Sequence, residues 1–305
     1  MPSAPWLDRR LQIVLGKGGV GKSTVAAALA RLRAARGQRV LLCDLSGDNR
    51  LSRLLGVSAI GPEITEVEPR LFLCNVTSDA ALREYAVMKL KFERAVKRLL
   101  ENRVVRYFLR LLPSLPETVT LGKVLFHVRE ERAGRPRFDG VILDAPATGH
   151  GLALLRLPRT LLESAPEGPL REDMLWMQAL LTDPTVATAV LVTLCQELPV
   201  NETLELNSAL RDELSVPRGV CVANAIWPTR FDPPALAEIR AKAPPSGREV
   251  AERFAAEAEG DRAQLRRLRD ALDLPVLELP LFFDAPDGVK LTQSLEAAFA
   301  GAAPA

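Results

Sequence analysis

Residues 16–24 read Gly16-Lys17-Gly18-Gly19-Val20-Gly21-Lys22-Ser23-Thr24, between the apolar run 11–15 and the helix-like run 25–36. Strand, glycine-rich loop and helix in that order bring backbone N–H groups together at a helix N-terminus, an arrangement that favours an anion. The spacing G-x-x-x-x-G-K-S assigns Lys22 to terminal phosphates and the Ser23 hydroxyl to Mg²⁺. Gly18, Gly19, Val20, Gly21, Lys22, Ser23 and Thr24 are therefore the candidate nucleotide-binding residues.

The rest of the chain alternates apolar, strand-like runs with helical ones. Strands are expected over 11–15, 40–44, 71–76, 141–144, 189–194, 219–223 and 275–279. Helices are expected over 22–36, 48–55, 80–102, 104–112, 118–131, 201–214 and 249–272. Continuous apolar strands separated by helices predict an α/β fold with a doubly wound, mostly parallel sheet, whose ligands sit at the carboxyl ends of the strands. The stretch 80–131 holds two or three helices with no strand between them and no Gly/Ser/Pro linker around it. It reads as an α-helical subdomain inserted into one domain spanning 1–305, with 159–181 as a possible second part. Met88, Phe92, Val96, Leu99 and Leu100 fall at helical spacing there, either as core packing or as a client-binding face. Pro244–Gly247 reads as a loop and 301–305 as a flexible end.

Composition limits the alternatives. With 40 basic and 38 acidic residues the net charge is +2, which gives no electrostatic case for nucleic acid or an anionic membrane. No run approaches the 18 or so apolar residues of a membrane span, and residues 1–10 lack a signal-peptide core, so a cytoplasmic protein without direct membrane insertion is expected. Cys43, Cys74, Cys195 and Cys221 lie in or at the ends of strand-like runs and read as buried free thiols. With two histidines and no C-x-x-C, a structural zinc site lacks ligands.

A second chemical segment runs from Asp144-Ala145-Pro146-Ala147-Thr148-Gly149-His150-Gly151 to Pro158. An Asp ending a buried strand beside a phosphate loop is placed to hold the Mg²⁺ shell through water, and Gly149 lets the following segment switch. The extra loop lysine, Lys17, makes residues 16–24 resemble the deviant Walker A motif of the MinD/ParA/ArsA/nitrogenase-iron-protein group. That resemblance implies that Lys17 reaches across a dimer interface to phosphates held by the other subunit, so that charge on the transferring phosphoryl group is stabilised only when two protomers close. With 144–158 added, the chain resembles the ArsA family, which includes arsenite-pump ATPases and the eukaryotic ATPases that target tail-anchored proteins. The likeness extends to 115–125, the turn Thr182-Asp183-Pro184 and the strand 190–194 followed by Glu202, most of the chain. It implies an ATP- and Mg²⁺-dependent ATPase working as a homodimer or as a heterodimer with a related ATPase. Asn224 would recognise the adenine, and 280–289 would close over it.

The chain also departs from its relatives. Much of the group carries a carboxylate two positions after Asp44, where this chain has Ser46; a hydroxyl orients water poorly, and Asp48 could substitute. The zinc-clamping C-x-x-C, the Met-rich insertion and the thiolate set for As(III) are missing. Lys17, Lys22, Asp48 and Asp44 are the catalytic candidates, and Ser23 and Asp144 the metal ligands. The expected function is an ATPase that couples nucleotide state to dimer closure and to an unidentified client or membrane partner. The alternatives are an energising subunit for anion or metalloid efflux, or a slow or inactive nucleotide-gated binding module.

Overall fold

A computed structural model describes residues 5–45, 47–90, 114–164, 167–285 and 287–302. The described residues form ten strands: β1 (Leu11–Leu15), β2 (Val40–Asp44), β3 (Thr65–Glu68), β4 (Leu71–Asn75), β5 (Glu131–Arg132), β6 (Arg135–Pro136), β7 (Gly140–Asp144), β8 (Ala187–Leu194), β9 (Arg218–Ile226) and β10 (Val276–Pro280). Eight of them form one sheet in the order β10-β9-β8-β1-β7-β2-β4-β3, while β5 and β6 make a small hairpin. All neighbours in the large sheet run parallel except the edge strand β3, which is antiparallel to β4. Sequential strands placed on both sides of β1 give the doubly wound arrangement.

The strands are buried on both faces, which is why they read as unbroken apolar runs. Leu11, Ile13, Cys43, Cys74 and Leu143 point to one face, where α4 (Leu115–Arg129), α5 (Thr148–Ser164), α6 (Pro169–Thr182) and α7 (Glu197–Ser208) cover the sheet. Val14, Leu42, Leu73, Ile142 and Val190 point to the other, under α1 (Lys22–Ala35), α2 (Arg50–Leu55) and α10 (Gly288–Ala302). The remaining helices are α3 (Ser78–Leu90), α8 (Pro233–Lys242) and α9 (Pro245–Ala271), and a π-helical turn, Ala209–Glu213, continues α7. All four cysteines are buried free thiols, and Cys43 and Cys74 sit side by side with sulfurs 3.6 Å apart.

Two buried arginines fix α1. Arg33 donates to Gln38 Oε1 at 2.6 Å, Arg9 O and Gln12 Oε1 at 2.9 Å, and Asp139 O at 3.2 Å. Arg31 pairs with Glu68 of β3 at 2.6 Å and donates to Val289 O at 3.1 Å and to the Thr292 hydroxyl, strapping α10 across α1.

Several elements differ from expectation. The segment Pro244–Gly247 is no loop: Pro245 opens the long helix α9, because proline is tolerated in a first helical turn, where its missing N–H is not needed. Helix α6 falls in the stretch 159–181 expected as a possible helical part, whereas α8 and α10, the edge strand β3 and the hairpin 131–136 were not foreseen. Of the helices expected within 80–131, the structure describes α3 and α4. The expected helix 104–112 and Phe92, Val96, Leu99 and Leu100 lie outside the described residues, as does Ser46. Met88 is placed only as backbone in α3.

Candidate nucleotide site

The loop between β1 and α1 is shaped by its glycines. Gly16 has φ +153° and packs so tightly that a Cβ there would strike the Val192 carbonyl oxygen of β8. Gly21 has φ +93°, and a Cβ would strike the Asn224 amide. Both positions therefore require glycine. Asn224 lies inside β9, opposite Leu194, and its Nδ2 donates to Val20 O at 2.9 Å. The residue expected to face an adenine thus braces the phosphate loop through its amide N–H.

The two loop lysines are engaged differently. Lys22, the first residue of α1, donates to Lys17 O at 3.0 Å; burial lowers its pKa, with the Asp144 charge opposing and Arg50 assisting. Lys17 leaves the loop sideways and forms an ion pair with Glu202 of α7 at 2.6 Å, both side chains about a third exposed. The loop is also tied to the segment after β7, since Thr148 N donates to Gly16 O at 3.2 Å. The helix that Thr148 opens, α5, is held at Arg156 and Arg159 by the Glu213 carboxylate and carbonyl.

Register aligns the acidic residues. Asp44 stands opposite Asp144 on β7 and opposite Asn75 on β4, so the carboxyl ends of three adjacent strands present Asn75, Asp44 and Asp144 in one row. In-register neighbours of a parallel sheet point to the same face, here that of α1. Asp144 is 5% exposed and accepts a hydrogen bond from the Ser23 hydroxyl. Burial pushes its pKa up to about 6, and nearby Asp44 adds to this while Ser23, Lys22 and Arg50 oppose it. Asp48 lies apart from this row at an exposed position, where its Oδ1 accepts from Arg50 N at 2.9 Å and starts α2.

Four buried side-chain oxygens here lack a hydrogen-bond partner among the described residues: Asp144 Oδ1, Asn75 Oδ1, Asn49 Oδ1 and Thr148 Oγ1. Buried acceptors are normally satisfied, so the two at the carboxyl ends of β4 and β7, Asn75 Oδ1 and Asp144 Oδ1, need donors from outside the chain. A hydrated Mg²⁺ fits, because this ion keeps several waters and uses one or two carboxylates in preference to a full protein cage.

The model for anion-transporting ATPases of the ArsA type matches residues 9–165, just over half of the chain and all of the row described above. The chain belongs to this family. ATPase BagA of Mycobacterium tuberculosis is 29% identical over 315 aligned positions, which cover 93% of this chain and 92% of BagA. The arsenical pump-driving ATPase of Acidiphilium multivorum is 28% identical over 230 positions, 70% of this chain and 39% of the pump ATPase. An Escherichia coli arsenical pump-driving ATPase gives 28% over 243 positions, with 70% and 41% covered. This chain thus spans about two fifths of those ArsA-type pump ATPases.

Two further cavities flank the ArsA-type core. One, of about 320 Å³, lies between α3, α4 and α6 and is lined by Tyr85, Val119, Phe126, Met174, Trp176 and Met177. Its polar rim is internally paired: the Tyr85 hydroxyl donates to Asp173 Oδ2 at 2.9 Å and Lys123 to Glu84 at 2.8 Å. The other, an open cleft of about 610 Å³, is lined by Arg230, Phe282, Phe283 and Lys290 beyond β9 and β10, along the expected closing loop. The sequence did not signal Asn75 or the bracing role of Asn224, because both depend on which strands become neighbours.

Proposed function

We propose that the protein binds and hydrolyses Mg²⁺–ATP at residues 16–24 and couples the nucleotide state to closure of a dimer. The observation that carries this reading is the unpartnered carboxylate oxygen of Asp144, a residue that faces the Ser23 hydroxyl next to Lys22 in the chain. Gly18, Gly19, Val20 and Gly21 would offer backbone N–H groups to the phosphates, with Lys22 turning from Lys17 O to the terminal phosphates. Mg²⁺ supplies charge neutralisation of the phosphates and a template for in-line attack. Ser23 would ligate it, Asp144 and Asp44 would hold its waters, and Asp48 would help orient the attacking water in place of Ser46. Asn224 would read the adenine edge once the loop has moved, and the segment 280–289 would cover it.

Lys17 would cross to the partner's phosphates, which requires it to leave Glu202. The cavity between α3, α4 and α6 supports a client-handling role, since its wall is apolar and its rim carries no unspent charge. The names of the pump-driving relatives favour a second reading, in which the chain energises efflux of an anion; stimulation of turnover by that ion distinguishes the two. Titration with a fluorescent ATP analogue tests the core of the proposal. Lys22→Ala is expected to lose binding by at least about 100-fold, and Lys17→Ala to keep most binding but lose ATP-driven dimerisation in sedimentation. Unaltered binding by Lys22→Ala refutes the site; ATP-driven dimers of Lys17→Ala equal to wild type refute the trans role.

A further inference from the structure

Asn75 is the member of the row that no phosphate-loop motif includes. It ends β4 in register with Asp44, which is in register with Asp144, so its side chain leaves the sheet on the same face as both carboxylates. It is 7% exposed, and its Oδ1 has no partner among the described residues. Its own backbone N–H is spent on Gly61 O at 3.0 Å, which pins the end of the strand. A fold gains nothing from a buried amide oxygen that accepts no hydrogen bond, since hiding it from water without a donor is unfavourable. Asp44 and Asp144, as carboxylates, offer that oxygen no proton. The missing donor has to come from outside the chain.

Distances limit which ligand this is. Neighbouring strands lie about 4.8 Å apart, so Asn75 and Asp144, two strands from each other, are separated by about 9.6 Å. A water on Mg²⁺ stands about 2.1 Å from the metal and donates a hydrogen bond to an acceptor about 2.8 Å further out. Two outer partners of one ion can then lie up to about 10 Å apart, so side chains that start from backbones about 9.6 Å apart can both reach the shell of one hydrated ion. We propose that Asn75 is a positioning residue of the cation site, its Oδ1 accepting a hydrogen bond from a water on the Mg²⁺ whose opposite side faces Asp144. This inference rests on the Mg²⁺–ATP reading above and adds a residue to it. The charge-neutral amide lets the row take up one divalent ion without a third carboxylate, whose repulsion would raise the neighbours' pKa values further.

Asn75→Leu, with the same number and branching of side-chain heavy atoms, removes the acceptor, and Asn75→Asp keeps one. The test measures the Mg²⁺ dissociation constant in the presence of a non-hydrolysable ATP analogue, and separately the melting temperature of the ligand-free protein. Loss of an outer-sphere partner weakens metal binding by about 10- to 100-fold, and that loss is expected for Asn75→Leu, with Asn75→Asp within about threefold of wild type. The ligand-free melting temperature of Asn75→Leu is expected to be unchanged or higher, because an unsatisfied buried amide has been removed. Mg²⁺ affinity within twofold of wild type for Asn75→Leu, or a lower ligand-free melting temperature, overturns the role. Failure of the wild type itself to bind the analogue in a Mg²⁺-dependent way overturns the Mg²⁺–ATP reading first, and this inference with it.

Discussion

At the scale of single residues, Lys17 and Lys22 share one loop and have opposite tasks. Lys22 is held over its own loop by Lys17 O, whereas the Lys17 ammonium is fixed in the same protomer by Glu202. An ion pair with both partners about a third exposed contributes no more than about 1 kcal/mol. In the proposed dimer, it would therefore delay the transfer of Lys17 to a neighbour without preventing it. Glu202→Gln is expected to shift the ATP concentration needed for half-maximal dimerisation downward by up to about fivefold, as followed by mass photometry. An unchanged midpoint would separate Glu202 from the closing step. That Lys17 and Lys22 share the loop between β1 and α1 was legible in the sequence because the strand, glycines and helix that make it follow one another within a short stretch. Asn75 was not, because its significance arises only when β4 pairs with β2 in register.

Among the elements, the end of α4 and the hairpin β5–β6 are joined by one ionisable cluster. His127 Nδ1 lies 2.8 Å from Glu130 Oε2, Glu130 accepts from Arg137 at 2.8 Å, and the His127 ring packs edge-on against Phe126 and Phe138. Burial lowers the His127 pKa below its ordinary 6.5 in spite of Glu130, with Lys123 and Arg137 adding to the effect. The unfolded chain consequently takes up the proton before the folded one does. Stability from this group is complete above pH 6.5 and is lost as the pH falls below it. Urea midpoints are expected to decline from pH 7 to 5.5, and His127→Asn to show a shallower decline over that window. A decline of the same slope in the variant would assign the acid sensitivity elsewhere. Such clusters escape a reading based on apolar periodicity, and so did the elements around them: β5 and β6 have two residues each, and β3 is a polar edge strand. The strands β1 and β2 matched expectation residue for residue because both their faces are covered, which leaves a continuous apolar run as the trace. Helices α8 and α10 begin at proline and glycine, residues that in isolation signal a turn.

For the whole molecule, the two ends of the sheet are finished in opposite ways. At the amino ends Arg33 spends its guanidinium on four oxygens, and Gly140 leaves the space that the guanidinium fills. Burial lowers the Arg33 pKa to about 10, so it remains charged at neutral pH. Gly140→Ala should displace the buried charge from its acceptors at a cost of about 3 kcal/mol, with a fall in melting temperature and no change in nucleotide affinity. A stability loss below about 1 kcal/mol would mean that Arg33 has another place to go. At the carboxyl ends the acceptors stay open, and the parts around them are joined in a ring. The phosphate loop holds α5 at Thr148, α5 is tied to the π-turn through Glu213, and the π-turn continues α7, whose Glu202 returns to the loop at Lys17. In the language of linkages this is a closed chain of members, which has fewer degrees of freedom than the members would have separately. Opening the Lys17–Glu202 joint turns the ring into an open chain, in which α5 and α7 stay tied to each other through Glu213 and only the tie between the phosphate loop and α7 is released.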